Sequence, residues 1–235
     1  MNERLRQLLR PVAKRVMHST LRPVGPARLL FGGLFRGQKI GREVYEWGWR
    51  ALVATPTFLA RCERHGDDIS IDRIPYVTGD CRIELGSNIQ ISGKLNIRGS
   101  HGTLPLLRIG DGVFVGANTC FALRSGIDVG NFVAIGSFVF ITDTEGHNRY
   151  SGDRKPAWET PPGPDDVAPV VIEDGVWIGN HAAILKGVRV GAGSIIGFGA
   201  VVRANVPPGS MVVGNPGRNV PIQLFHKEPQ GAVRA

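Results

Sequence analysis

The chain has 235 residues, 42% of them hydrophobic, with 32 glycines and 7% aromatic residues, a composition that favours one β-rich domain with many tight corners. No apolar run approaches the roughly 18 residues that span a bilayer, and the N-terminus lacks the pattern of a secretory signal. The net charge of +8 lies in residues 1–42, which carry +9, so the remainder, at −1, is not expected to bind nucleic acid or another polyanion.

Residues 1–68 are predicted to form a basic, partly helical extension. Apolar residues recur near the start at helical spacing, with arginine and lysine between them: Leu5, Leu8, Leu9, Val12 and Val16. Pro11 and Pro26 interrupt this pattern. Two further helical stretches are predicted, at 44–50 and 57–64.

The charge of the extension has three interpretations. Residues 1–42 form either a solvated arm or a peripheral attachment to an anionic membrane surface. Nucleic-acid contact is disfavoured, because no nucleic-acid module or aromatic stacking pattern accompanies the charge.

Residues 69–214 contain a repeat with a period of six. Large apolar residues mark sixteen such hexads: Val77, Ile83, Ile89, Leu95, Ile109, Val115, Phe121, Val129, Ile135, Ile141, Ile172, Ile178, Ile184, Val190, Ile196 and Val202. This period fits neither a helix nor an alternating strand. It predicts a three-faced coil in which each hexad gives one short strand and one corner, so sixteen hexads predict about five turns.

Three insertions interrupt the period. One lies between Leu95 and Ile109, a slip of two residues lies between Phe121 and Val129, and the longest is 142–169. The longest insertion is rich in proline: Pro156, Pro161, Pro162, Pro164 and Pro169. Because proline does not fit a stacked parallel sheet, this segment is predicted to be a loop that projects from the coil, and such loops are commonly functional.

Segment 171–179 reads Val-Ile-Glu-Asp-Gly-Val-Trp-Ile-Gly, and segments 201–208 and 214–216 read Val-Val-Arg-Ala-Asn-Val-Pro-Pro and Gly-Asn-Pro. In these motifs the chain resembles the hexapeptide-repeat acyltransferases, specifically the sugar O-acetyltransferase branch. The resemblance implies an all-β fold, a left-handed parallel β-helix, with a helical basic N-terminal extension and a long projecting loop. It also implies homotrimers with active sites between subunits. Residues 215–235 form a tail without a clear pattern.

Acyl transfer to an alcohol needs a base, and an imidazole, with a pKa of about 6.5, suits this near neutral pH. His147 follows the hexad of Ile141 at the base of the long loop. The resemblance places the catalytic histidine at this point, so His147 is predicted to be the catalytic base.

Four residues are candidates for binding the substrate. Asn118 lies on the coil that faces the His147 region, although an asparagine that stacks in a coil corner is the competing interpretation. Asp143 and Glu145 either contact the substrate or are solvated loop acids. Arg124 stands where the small-sugar enzymes carry an acidic contact, which indicates either an anionic acceptor, such as a nucleotide-linked sugar, or a structural ion pair.

The resemblance also implies acetyl-coenzyme A as acyl donor, bound along the C-terminal coils. Matching positions here are Gly179, Asn180, Gly197, Phe198, Arg203 and Arg218, of which the two arginines are candidates for meeting the nucleotide phosphates. No metal is expected, because the histidines lack the spacing found in the carbonic anhydrases that share this fold.

The expected function is therefore transfer of an acetyl or similar acyl group to a hydroxyl of a saccharide or a lipid-linked precursor in surface polysaccharide biosynthesis. N-acylation of an amino sugar and a non-catalytic scaffold are the alternatives. Cys62, Cys81 and Cys120 show no paired spacing, which favours a reducing cytoplasm, and the basic arm favours the inner face of the membrane.

Overall fold

The structure is a computed structural model that describes residues 26–147 and 161–220, with side chains from residue 32 onward. The apolar repeat predicted for the first sixteen residues lies outside these ranges. The chain divides into two compact units, residues 1–46 and 47–235.

Three helical segments precede the coil. Helix α1, Pro26–Trp49, begins at a proline, which suits the first helical position because its missing N–H would have no partner there. A π-helical segment, Arg50–Ala54, and a short helix α2, Thr55–Leu59, follow. The helix predicted at 57–64 therefore ends early. Across the described residues, no helix combines the length and apolarity needed to cross a membrane.

The described residues of the second unit form nineteen short strands wound into a left-handed parallel β-helix. The strands are β1 Ile69–Ile71, β2 Tyr76–Thr78, β3 Arg82–Leu85, β4 Ile89–Ile91, β5 Leu95–Arg98, β6 Leu106–Ile109, β7 Phe114–Val115, β8 Thr119–Ala122, β9 Gly126–Val129, β10 Ala134–Ile135, β11 Phe140–Thr142, β12 Val170–Ile172, β13 Trp177–Ile178, β14 Ala183–Ile184, β15 Arg189–Val190, β16 Ile195–Ile196, β17 Val201–Val202, β18 Met211–Val213 and β19 Arg218–Val220.

Up to β17, every third strand stacks on the same flat face. Face 1 contains β1, β4, β7, β10, β13, β16 and β18, and β19 closes it in antiparallel pairing. Face 2 contains β2, β5, β8, β11, β14 and β17, and face 3 contains β3, β6, β9, β12 and β15. The coil makes about seven turns, two more than predicted, and β19 lies in the segment predicted as a tail without a pattern.

The coil is longer than predicted because the sixteen hexads leave out β1, before Val77, and β18, after Val202. The frame of the repeat is also shifted in the first turns. Leu85, Ile91 and Ile97 pair in register with the repeat residues of the next turn. The residues predicted to hold these positions lie two residues too early: Ile83, Ile89 and Leu95. All six side chains are buried, so apolar character alone did not reveal the shift.

The core is a stack of aliphatic side chains inside the coil. On face 1 the residues in register from turn to turn are Ile71, Ile91, Val115, Ile135, Ile178, Ile196 and Val212, and each is at most 2% exposed. Full burial of one such side chain stabilises the fold by about 1.5–3 kcal/mol. The stack fixes the register of every turn and hence the position of each corner.

Polar side chains hold one corner together. Asp174 Oδ1 accepts a hydrogen bond from the backbone N–H of Asn131 at 2.7 Å, and Asn131 Oδ1 accepts one from Asp111 at 2.9 Å. Asp111 Oδ1 in turn accepts one from the N–H of Ser87 at 2.7 Å. Each turn therefore satisfies a backbone donor of the turn before it.

All the insertions lie at one corner of the coil, between face 2 and face 3. Four connections, each from a strand of face 2 to the next strand of face 3, form this extended corner. Its described residues are the segments 79–81, 99–105, 123–125, 143–147 and 161–169. Because the turns stack, the segments lie one above the other. The insertions that were separate in sequence therefore form one continuous surface.

Candidate functional site

The extended corner contains a cleft of about 170 Å³. Residues from three successive turns line it: Arg98, Gly99, Ser100, Ala122, Leu123, Arg124, Thr144, Gly146 and Pro162. The cleft is open to solvent on one side, and two of its lining side chains are arginines. It therefore combines a shaped surface with positive charge.

Asp143 supports the floor of this cleft. Its side chain is 0% exposed, and its carboxylate accepts backbone hydrogen bonds from Arg124 at 2.7 Å, Ser125 at 2.7 Å and Gly126 at 2.6 Å. Burial raises the pKa of this carboxyl above its ordinary value of 3.8, and the three N–H groups act in the opposite direction. Asp143 is thus neither the substrate contact nor the solvated acid that the sequence offered; it fixes the turn that carries Arg124.

The long loop leaves the coil through a stem of two antiparallel segments. Thr144 forms a bridge with Val167, and the N–H of Glu145 donates to the carbonyl of Asp166 at 2.9 Å. Lys186 of the next turn donates to the carbonyl of Asp165 and lies 3.4 Å from the Glu145 carboxylate. Glu145 therefore supports the stem.

His147 lies two residues beyond this stem. Gly146, which lines the cleft, adopts a left-handed φ of 83°, a conformation that favours glycine, and the chain turns there. His147 follows with an exposed side chain. Because consecutive Cα atoms are about 3.8 Å apart, the Cα atom of His147 lies at the rim of the cleft.

The two arginines come from neighbouring turns. Arg98 is the last residue of β5 and pairs in register with Ala122, two residues before Arg124. Arg124 is half-buried, and its Nη1 donates to Ser100 Oγ at 3.0 Å. Sequence pattern points to Arg124 but not to Arg98 or Ser100, because their place beside Arg124 depends on the stacking of turns.

Asn118 lies at a different corner. It occupies the turn between faces 1 and 2 with a left-handed φ of 59° and an exposed side chain. The four residues of β8 separate this corner from the one that carries Arg124, a length of roughly 13 Å. The corner interpretation of Asn118 therefore fits the structure better than a contact in the cleft.

Three of the residues expected to bind coenzyme A serve the stacking of the coil. A side chain on Gly179 would meet the backbone N of Phe198 at 2.8 Å, and one on Gly197 would meet Val213 at 3.0 Å. Asn180 Oδ1 accepts the backbone N–H of Ser137 at 2.9 Å. The close approach of neighbouring turns therefore explains why glycine stands at 179 and 197 and asparagine at 180.

The other three expected residues lie on different parts of the last turns. Phe198 is 73% exposed at the corner between faces 1 and 2, whereas Arg203 follows the last strand of face 2 and Arg218 lies on β19. The side chains of Arg203 and Arg218 are also exposed. Each of the three is therefore accessible to a ligand on these turns.

A column of aromatic rings lines the corner between faces 1 and 2. Phe138 and His181 stack with ring centroids 4.9 Å apart and planes 1° apart, and His181 lies 5.2 Å from Phe198. Phe138 and His181 both adopt left-handed φ angles near 60°, which are uncommon for side chains of this size. His181 is thus held between two rings, while His147 is not part of this column.

The described residues contain no group of three or more histidine, cysteine or acidic side chains placed to hold a metal ion. In the same ranges the cysteines are unpaired, and burial raises the pKa of the Cys62 thiol to about 11. The polar side chains that line the cleft are those of Arg98, Ser100, Arg124 and Thr144.

Two family models match parts of the repeat. Residues 169–204 match the bacterial transferase hexapeptide (six repeats), and residues 106–143 match the hexapeptide repeat of succinyl-transferase. Among curated relatives, 2,3,4,5-tetrahydropyridine-2,6-dicarboxylate N-acetyltransferase of Staphylococcus aureus strain JH9 is 51% identical over 75 residues, which cover 30% of this chain. The chain spans 31% of the length of that relative.

One solved structure shares the architecture. A single-residue mutant of AntD, an N-acyltransferase from Bacillus cereus in complex with dTDP-4-amino-4,6-dideoxyglucose and coenzyme A, has a TM-score of 0.56 at 20% identity, and the match covers 68% of this chain and 84% of AntD. The polysialic acid O-acetyltransferase OatWY has a TM-score of 0.48 at 19% identity, with 67% and 80% covered. The six-residue repeat, the three stacked faces and the two matched segments show that the chain is a hexapeptide-repeat protein with the left-handed β-helix fold of that transferase family.

Proposed function

We propose that the protein transfers an acetyl or similar acyl group from coenzyme A to a hydroxyl of a saccharide or lipid-linked precursor in surface polysaccharide biosynthesis. One observation carries the proposal: on a coil of the hexapeptide-repeat type, a hydrogen-bonded stem ends beside a cleft, and the exposed His147 directly follows Gly146, which lines that cleft.

In this reaction the thioester of the acyl donor supplies an activated carbonyl and a thiolate leaving group. His147 takes the proton of the acceptor hydroxyl while the hydroxyl oxygen forms a bond to the carbonyl carbon of the thioester. The carbon–sulfur bond then breaks, and the imidazolium returns the proton to the sulfur. The stem limits the movement of His147, which lowers the entropic cost of bringing base and hydroxyl together.

For the acyl donor, exposed residues of the last turns are the candidates. Phe198 offers a ring for apolar contact with the pantetheine or adenine, and the guanidiniums of Arg203 and Arg218 suit the phosphates. AntD, whose fold is similar, was solved with coenzyme A. Gly179, Asn180 and Gly197 would shape the backbone on which the donor lies.

N-acylation of an amino sugar is the second candidate function. The curated relative from Staphylococcus aureus is an N-acetyltransferase and AntD is an N-acyltransferase. The same base serves either acceptor, because a protonated amine also has to lose a proton before it attacks. A scaffold without catalytic activity is the third candidate, and the pinned stem argues against it.

Two further features belong to this proposal. The protein acts as a homotrimer, in which a neighbouring subunit completes the site. It lies in the cytoplasm at the inner face of the membrane, where the basic residues 1–42 hold it near a lipid-linked acceptor.

The test compares His147→Ala with the parent for transfer from acetyl-coenzyme A to galactose and to galactosamine. We expect the variant to lose at least about 100-fold in kcat, the usual size of a general-base contribution. His101→Ala is the matched control, since His101 is an exposed histidine of segment 99–105. Equal rates for His147→Ala and the parent contradict the assignment of the base. Faster transfer to the amine selects N-acylation. No transfer by the parent to these sugars, to galacturonate or to galactose 1-phosphate selects the scaffold.

A further inference from the structure

We propose that the cleft at the extended corner binds an oxyanion of the acceptor, a carboxylate or a phosphate, through Arg98 and Arg124. The inference rests on the proposed function and deepens it, because it names the acceptor as an acidic saccharide.

In the described part of the chain, the two arginines of the cleft lack an acidic partner. Within the ranges that the structure describes, neither guanidinium forms an ion pair with a carboxylate. On face 3, by contrast, arginines are paired: Arg108 lies 3.2 Å from Asp128, and Arg189 lies 2.7 Å from Glu173. Unlike these two face 3 arginines, the two in the cleft have no acidic partner among the described residues and are available to another anion.

The acidic groups near the cleft are already engaged. The Asp143 carboxylate is buried and accepts three backbone hydrogen bonds from the turn that carries Arg124. Glu145 contacts Lys186 in the stem. Two like charges that line one small cleft repel each other, so binding an anion between them relieves this repulsion.

Arg124 is held in position before any ligand arrives. Asp143 fixes its backbone, and Ser100, which is 5% exposed, accepts one of its hydrogen bonds at 3.0 Å. A guanidinium has five N–H donors in a planar fork that matches carboxylate and phosphate. The remaining donors of Arg124 therefore suit a bidentate contact at a small entropic cost.

The volume of the cleft and its position next to His147 also fit one charged group of the acceptor. At about 170 Å³ the cleft is smaller than the roughly 300–1,000 Å³ of sites that enclose a whole ligand, so it suits one charged group rather than an entire saccharide. Gly146 forms part of its wall, and His147 follows directly. An oxyanion in the cleft thus anchors the acceptor while a hydroxyl on the adjoining ring lies at the imidazole.

The test measures binding by calorimetry without acyl donor, using two matched pairs: galacturonate against galactose, and galactose 1-phosphate against methyl galactoside. We expect the full-length parent to prefer at least one acid over its neutral partner by about 10-fold or more, and the two pairs distinguish carboxylate from phosphate. Arg98→Gln and Arg124→Gln should each weaken acid binding by about 10-fold, as expected for a lost charge-assisted hydrogen bond, without changing binding of the neutral sugars. Arg124→Lys should lose less, because it keeps the charge.

Arg108→Gln, which removes a paired and exposed arginine, is the control and should keep the preference. Equal binding of acid and neutral partner by the parent, or an unchanged preference in both cleft variants, overturns the inference. His147→Ala separates the two proposals, because it should lose transfer yet keep the preference for the acid. If the parent binds acids selectively but transfers nothing, the cleft assignment stands and the transferase proposal falls.

Discussion

At the scale of single residues, the environment of a side chain decides its role. Asp143 and Glu145 are two residues apart in the same loop. Asp143 is buried and accepts hydrogen bonds from three N–H groups, whereas Glu145 contacts Lys186 of the next turn. Arg124 depends on the first of them, because Asp143 holds its backbone. The cleft is therefore built from residues whose individual types do not distinguish them from solvated loop residues.

Asp143→Asn tests this structural role. The amide replaces one acceptor oxygen by an NH₂ group that faces backbone N–H donors, so at least one buried donor is left without a partner. We expect a loss of about 1–3 kcal/mol in the free energy of unfolding, measured by urea denaturation. Asp128→Asn, at a half-exposed ion pair, is the control and should cost less than about 1 kcal/mol. Equal losses in the two variants would contradict the role of Asp143.

At the scale of the elements, face 3 owes part of its stability to an acid surrounded by arginines. Glu84 on β3 lies 2.7 Å from Arg64 and 3.3 Å from Arg108. The hydrogen bond from Arg64 is the main reason that the pKa of this carboxyl lies below its ordinary value of 4.5. Since the folded pKa is lowered, the contribution is present above pH 4.5 and is lost as the pH falls through the folded value.

Glu84→Gln should therefore lower the Tm at pH 7, and the difference from the parent should shrink as the pH falls below about 4.5. Thermal unfolding followed by circular dichroism at a series of pH values measures this. Glu43→Gln removes a carboxylate that is 63% exposed in α1 and should change the Tm little at any pH. A pH-independent difference for Glu84→Gln would show that lost packing, rather than the ion pairs, explains its effect.

At the scale of the whole molecule, charge is separated along the chain. Residues 1–42 carry all of the net positive charge, and α1 exposes large apolar side chains, among them Leu34, Phe35 and Trp47. Residues 47–235 form their own compact unit. The attachment proposed for the arm is thus separable from the coil.

Deletion of residues 1–42 should leave transfer to soluble acceptors unchanged, because the cleft and His147 lie in the second unit. It should weaken sedimentation with vesicles that contain phosphatidylserine, where each basic residue near the surface contributes about 1 kcal/mol. Neutral phosphatidylcholine vesicles are the control and should bind both forms weakly. If the shortened chain sediments with anionic vesicles as well as the full chain does, the arm is merely solvated.

The sequence by itself determined the coil, because a six-residue period with buried aliphatics has few other physical solutions, and family resemblance supplied its handedness. It also marked the long loop and His147. Only the tertiary structure decided the frame of the first turns, where Ile83 and Leu85 are both apolar and both buried. It alone joined Arg98, Ser100 and Arg124 in one cleft, since contacts between stacked turns depend on register across some twenty residues, which local patterns do not encode.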